Sequence, residues 1–203
     1  MGIVCIDSGM LQSNVYIIKN GNECVLIDAG CSAADILKEL SCKEQVKYII
    51  LTHGHVDHIC SADEIRKETG AKVVAYKDEE SLLKNANYNC SYYICGRPYS
   101  ICPDILVSED DVIKLGEDIF SFIYTPGHTS GSMCVKYKNV IFTGDTLFKG
   151  SVGRCDFPTG DEEDLIYSVK KKLYILEDDM VVYPGHGDVT TIGWEKKNNI
   201  IGD

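Results

Sequence analysis

The stretch V-K-Y-I-I-L-T-H-G-H-V-D-H, residues 46–58, carries most of the information in this chain. Its first part, 46–52, is a short apolar run rich in Val, Ile and Tyr, which reads as a buried strand. Its second part places His53, His55, Asp57 and His58 directly after that strand. Gly54 permits a sharp bend, so His53 and His55 converge instead of pointing to opposite faces. Asp57 and His58 come one turn later, at the start of a helix. A lone histidine there would read as an ordinary hydrogen-bonded turn residue. Three imidazoles and a carboxylate in one loop read as ligands for zinc, iron or manganese.

Three more turns have the same design. His128 stands in Y-T-P-G-H-T-S-G, Asp145 in I-F-T-G-D-T and His186 in V-Y-P-G-H-G. Each follows an apolar run and a glycine, so each projects from a strand end. Singly, the two histidines could be surface turn residues and Asp145 a helix cap or Asx-turn. Together these sites account for all 5 histidines of the chain. The candidates His53, His55, Asp57, His58, His128, Asp145 and His186 are too many for one tetrahedral ion. They suit two divalent ions sharing a carboxylate and a water. Such ions, about 3.5–4 Å apart, clamp a substrate oxygen and lower the pKa of water toward 7.

Strand-like and helix-like runs alternate around these turns. N-V-Y-I-I-K (14–19) and C-V-L-I-D-A-G (24–30) flank N-G-N and read as a hairpin. A helix is expected over 32–40 with Ser32 as its cap, another over 61–69, and a strand over 72–76. Residues 85–104 show no period and read as a long irregular loop of the lid or binding type. Strands are expected near 119–124, 133–137, 140–143 and 180–183. A helix over 162–176 carries Glu162, Glu163 and Asp164 in its first turn and an apolar face of Leu165, Ile166, Val169, Leu173 and Leu176. Strands and helices in both halves suggest two sheets with helices outside.

The 203 residues suit one domain, 1–203, with a net charge of −11 spread along the chain. Such a surface repels a phosphate backbone, so nucleic acid is not an expected partner. No apolar run is long enough to span a bilayer, and no secretory signal is visible. The 10 cysteines therefore read as reduced thiols in a cytoplasmic protein. Cys90, Cys95 and Cys102 could form a small metal or iron–sulfur site, but they lack the C-x2-C pairs of common clusters. The ordinary reading is small buried or loop thiols.

The ordered set D-A-G (28–30), H-G-H-V-D-H (53–58), P-G-H-T-S-G (126–131), T-G-D-T-L-F (143–148) and P-G-H-G (184–187) resembles the metallo-β-lactamase superfamily. The resemblance implies an α+β fold, the αββα sandwich, with two mixed sheets flanked by helices and the metals at the sandwich edge. It implies that His53, His55 and His128 bind one ion, that Asp57, His58 and His186 bind the other, and that Asp145 bridges them. Within the superfamily, G-D-T-L-F-K-G-S-V-G-R-C-D-F-P-T-G-D (144–161) and P-G-H-G-D-V-T-T-I-G-W-E (184–195) resemble short glyoxalase II-like hydrolases, whose relatives cleave S-lactoylglutathione and similar thioesters. Arg154 falls where those enzymes carry a basic residue that meets the glutathione carboxylate. The alternative for Arg154 is a structural salt bridge with Asp156 or another acid. A tyrosine expected two residues after the basic position is replaced by Asp156, and the C-terminal helical domain of larger relatives is not expected in these 203 residues.

These features point to a metal-dependent thioesterase in which a metal-bound hydroxide attacks a small-molecule thioester and Asp57 holds or accepts the proton. A leaving thiolate with a conjugate-acid pKa near 8.5 needs no strong general acid. The principal alternative is a persulfide dioxygenase of the same superfamily, with one iron held by His53, His128 and Asp145. A nuclease and a non-catalytic metal-binding protein are the others. No cysteine replaces a ligand in the motifs, and with no export signal a β-lactamase fits poorly.

Overall fold

The hairpin expected around N-G-N forms, and a short first strand extends it. β1 (Ile3–Ile6), β2 (Val15–Asn20) and β3 (Glu23–Ile27) pair antiparallel in succession. Helix α1 (Ala33–Lys38) follows, capped by the Ser32 side chain, which accepts from the Asp35 amide. It returns the chain so that β4 (Gln45–Ile50) lies parallel to β3. Helices α2 (Val56–Ile59) and α3 (Ala62–Thr69) lead to β5 (Lys72–Tyr76), parallel to β4. A helical turn at Lys77–Glu79, then α4 (Glu80–Leu83) and α5 (Ser91–Cys95), precede β6 (Ile105–Val107). The first sheet runs β1-β2-β3-β4-β5-β6 and is mixed. The computed structural model describes residues 2–202.

The second sheet begins as an antiparallel meander of β7 (Val112–Leu115), β8 (Asp118–Tyr124), β9 (Met133–Tyr137) and β10 (Val140–Gly144). A two-stranded ribbon follows, β11 (Leu147–Phe148) with β12 (Ser151–Val152). Helix α6 (Glu162–Tyr167) crosses over to β13 (Val181–Pro184), parallel to β10, and β14 (Thr190–Thr191) and α7 (Ile192–Asn198) complete the described fold. The order is β14-β13-β10-β9-β8-β7, also mixed.

Period-2 alternation with both faces buried builds the layers. On β2 and β3, Tyr16, Ile18, Val25 and Ile27 face the second sheet and pack with Phe120, Phe122, Val135 and Phe142. Their neighbours Val15, Ile17, Cys24 and Leu26 face the other way, onto Ile36 of α1 and Ile65 of α3. On the second sheet Cys134 and Ile141 turn outward onto Val169 and Leu173. This is the αββα sandwich expected from the resemblance.

Several details differ from the sequence reading. The stretch 85–104 is not wholly irregular: it contains α5. The helix expected over 162–176 is regular only to Tyr167 and continues as a π-type turn at Ser168–Leu173. β1, β7 and α7 had no strong local signal; the two strands are four-residue edges, half-exposed along β1, and in β7 the exposed Val112 hides the alternation from the sequence. No helix among the described residues is long and apolar enough to cross a membrane.

Candidate metal centre

The seven candidate residues come from both sheets and meet at one end of the sandwich. His53 and His55 lie in the loop from β4 to α2, Asp57 and His58 on α2, and His128 in the β8–β9 loop. Asp145 follows β10 and His186 follows β13, neighbouring parallel strands. Gly54 packs against the core: a Cβ there would lie 2.7 Å from Leu82 Cδ2 and 2.9 Å from Leu83 Cδ2, so those side chains would have to shift. Gly185 floors the site, since a Cβ on it would stand 2.2 Å from Asp145 Oδ1.

Three overlapping groups of donors form, each with its ligand atoms within 4.8 Å: His53, His55 and His128; His53, His58 and Asp145; and Asp57, His58 and His186. Asp145 stands between the outer two groups. Its Oδ1 lies 3.3 Å from His58 Nε2, and its Oδ2 lies 3.6 Å from His128 Nε2 and 3.5 Å from His186 Nε2. His55 Nδ1 is 2.9 Å from His128 Nε2. His53 Nε2, His55 Nε2 and Asp145 Oδ1 are buried without a hydrogen-bond partner. Converging imidazoles with unmatched buried atoms make a poor hydrogen-bond network, but they fit a cation. A dinuclear-type His/Asp cluster is therefore present, and its donors fit two divalent ions.

Outer contacts aim the rings. His58 Nδ1 meets Asp28 Oδ2 at 2.8 Å. Asp28 also accepts from the Thr52 amide at 2.7 Å and the Thr52 hydroxyl at 2.8 Å. These bonds offset a left-handed backbone at Asp28, φ 60°, which costs about 1 kcal/mol. His128 Nδ1 sits 2.6 Å from the Arg154 carbonyl oxygen, leaving Nε2 to face the centre. The Ser13 hydroxyl donates to the Asp57 carbonyl at 2.6 Å, fastening α2.

Electrostatics divides the donors into two kinds. Burial pushes His53 well below the usual imidazole range, His55 down to about 3, and His128 down as well. For His58 burial works the same way, but Asp145, Asp57 and Asp28 outweigh it and keep the ring protonated well above its ordinary range. His186 is likewise carried up to about 9, because its bonds to Asp145 and Asp57 overcome its burial. Burial would raise Asp57 and Asp145, yet the neighbouring histidines His58 and His186 hold both carboxylates ionised.

The remaining sequence expectations fare differently. The Arg154 guanidinium forms a bidentate pair with Asp156, at 2.6 and 2.7 Å, and lies 3.9 Å over the Phe157 ring. It is more than half exposed. Cys90 is buried, Cys95 lies 3.9 Å from the Met10 sulfur, and Cys102 is exposed. No cysteine joins a candidate metal group among the described residues.

Two carboxylates escaped the sequence reading as parts of the site. Asp28 was visible only inside D-A-G. Glu79, 1% exposed, had no signal at all, because K-D-E-E (77–80) reads as a solvated turn. Burial pushes its carboxyl up to about 7, against the pull of Thr129, Gly54 and Gly131.

The chain is similar to known proteins over almost its whole length. It is 32% identical to a hydroxyacylglutathione hydrolase of Haemophilus influenzae, GloC, over 98% of this chain and 97% of the relative. Among solved structures, the B3 metallo-beta-lactamase BLEG-1 superposes with a TM-score of 0.92 at 33% identity, covering 98% of each chain. The protein TTHA1623, solved in a di-iron-bound form, gives 0.85 at 30% identity over 98% of this chain and 99% of that one. Residues 8–186 match the family model described as the metallo-beta-lactamase superfamily, and the chain belongs to that superfamily.

Proposed function

We propose that this protein is a two-metal hydrolase of thioesters, glyoxalase II-like, acting on S-lactoylglutathione or a related acyl thioester. The observation that carries the reading is the pair of three-donor groups on either side of Asp145. In this reading His53, His55 and His128 would hold one ion, Asp57, His58 and His186 would hold the other, and Asp145 would serve both. Zinc suits these donors, and iron or manganese would meet them too. Bound ions of this kind lower the pKa of a water and polarise the scissile carbonyl.

The chain's own residues do the rest. Asp57 is ionised and buried, 3.3 Å from His186 Nε2, and would hold a proton taken from water. The leaving thiolate departs without a protein acid, since cysteine-like thiols have pKa values near 8.5. Asp156 engages Nε and one Nη of Arg154, so a substrate carboxylate would meet the remaining N–H groups or compete with Asp156. The name of the Haemophilus relative makes acylated glutathione the first substrate to test. The reading treats 1–203 as one cytoplasmic unit.

The complete Asp57–His58–His186 group weighs against a single-iron dioxygenase, which would use only His53, His128 and Asp145. The net charge of −11 weighs against a nuclease. The likeness to a B3 metallo-beta-lactamase favours β-lactam hydrolysis as a second reading.

Metal analysis of the pure protein, combined with assays on S-lactoylglutathione, a small neutral thioester and a β-lactam, tests the proposal. Thioester hydrolysis should be lost on chelation, return with metal, and proceed equally without oxygen. Turnover confined to the β-lactam supports the second reading, and oxygen-dependent sulfur oxidation supports the dioxygenase.

A further inference from the structure

Glu79 ends the helical turn after β5, and its carboxylate joins two loops that are distant in sequence. Oε1 accepts from the Gly54 amide at 2.7 Å and from the Thr129 hydroxyl at 2.9 Å. Oε2 accepts from the Gly131 amide at 2.8 Å, with the Thr129 hydroxyl also 3.0 Å away. Gly54 stands between His53 and His55, and Thr129 directly follows His128. The approach is tight: a Cβ on Gly131 would lie 2.2 Å from the Glu79 nitrogen and 2.5 Å from Oε2.

A fully buried carboxylate held by hydrogen bonds is an expensive group for packing alone. A glutamine would fill the same volume but offer one acceptor oxygen. Here amides from two loops address two different oxygens, a geometry that only a carboxylate satisfies from both sides. We propose that Glu79 is a positioning residue for the His53–His55–His128 group. It holds the β4–α2 loop in register with the β8–β9 loop, so that the three imidazoles converge within 4.8 Å. This inference rests on the metal-centre reading above. The Asp57–His58–His186 group is fastened separately, by Asp28 on His58 and by Ser13 on the Asp57 carbonyl. Loss of Glu79 should therefore weaken one ion and spare the other.

Cobalt(II) binding to metal-free protein, measured by absorption in competition with a chelator, tests this. A His186→Ala background leaves the first group complete, and a His55→Ala background leaves the second. Adding Glu79→Gln should weaken cobalt by about 10–100-fold in the first background, the usual cost of losing an outer partner, and leave it unchanged in the second. Thr129→Val removes only the hydroxyl and should move the same ion in the same direction, by less; it carries the test if Glu79→Gln does not fold. Equal losses in both backgrounds, with a lower melting temperature of the metal-free protein, would show general destabilisation and overturn the proposal. Unchanged binding in the first background would overturn it as well. Failure of the unsubstituted protein to bind two cobalt ions is a separate result: it removes the metal-centre reading itself and this inference with it.

Discussion

The two halves of the centre are built from similar residues but held in opposite charge states. In the His53–His55–His128 half, burial dominates and keeps the imidazoles neutral, with lone pairs ready to bind a cation. In the Asp57–His58–His186 half, carboxylates dominate and keep the imidazoles protonated. The difference lies in the neighbours. His55 faces another imidazole at 2.9 Å, whereas His58 faces Asp28 at 2.8 Å and Asp145 at 3.3 Å. Identical side chains thus become a preformed ligand set on one side and an ion-pair network on the other. The second must lose protons before it can bind metal.

Asp145 is the residue common to both halves, so its removal should have the largest effect. Asp145→Ala should lose metal from both sides and reduce turnover by more than the about 100-fold typical of losing an outer contact. Metal content and kcat on one thioester check this. Normal content and turnover would break the two-metal reading.

Proton linkage sharpens the contrast next. The folded-state pKa of His58 is raised well above its ordinary value and that of His186 to about 9, so both rings are protonated at pH 7 in the metal-free protein. Metal uptake by that half should release these protons, and its affinity should fall as pH is lowered from about 9, by about tenfold per unit for each proton released. The first half binds with imidazoles that are already neutral, so its affinity should change little over the same range. Calorimetry in buffers of different ionisation enthalpy counts the protons. Loading of both ions without proton release would erase the distinction.

Asp28→Asn should act more strongly on the second half, because Asp28 contacts His58 directly and reaches His53 only through Thr52, whose hydroxyl lies 3.2 Å from His53 Nδ1. A loss of about 10–100-fold in affinity for that half's ion is expected, measured as above. It is the counterpart of Glu79→Gln, on the opposite side.

The smallest effect belongs to Arg154. Its guanidinium is exposed and already paired with Asp156, so water and a competing carboxylate weaken any bond to substrate. Arg154→Ala should cost less than about tenfold in kcat/KM on a carboxylate-bearing thioester, mainly through KM, and leave a neutral thioester unchanged. His128 should stay in place, because it contacts the backbone carbonyl of residue 154. Equal losses on both substrates would assign Arg154 a structural role only.

The seven donors were legible because His53, His55, His128, Asp145 and His186 each adjoin a glycine after an apolar run, and Asp57 and His58 follow in the same short motif, a local pattern that survives without any knowledge of the fold. The hairpin, the Ser32 cap and the central strands were legible for the same reason: period and cap are properties of neighbouring residues. The π-type turn at Ser168–Leu173 was not, because the apolar face of that segment fits a regular helix equally well. Helix α5 was hidden by the Asn, Tyr, Gly and Pro around it. Edge strands β1 and β7, four residues each, were too short to separate from turns, and the exposed Val112 hid the alternation of β7.

What the sequence determined by itself is therefore the inventory of the centre: which side chains, on which turns, with enough donors for two ions. What only the tertiary structure decided is how those donors divide. The charge on each imidazole depends on carboxylates that come from other strands, as Asp28 does for His58. The register of the histidine loops depends on Glu79, whose hydrogen bonds run to Gly54 and Gly131. The field and the hydrogen bonds that act on a buried group fall off with distance in space, and separation along the chain does not reveal that distance.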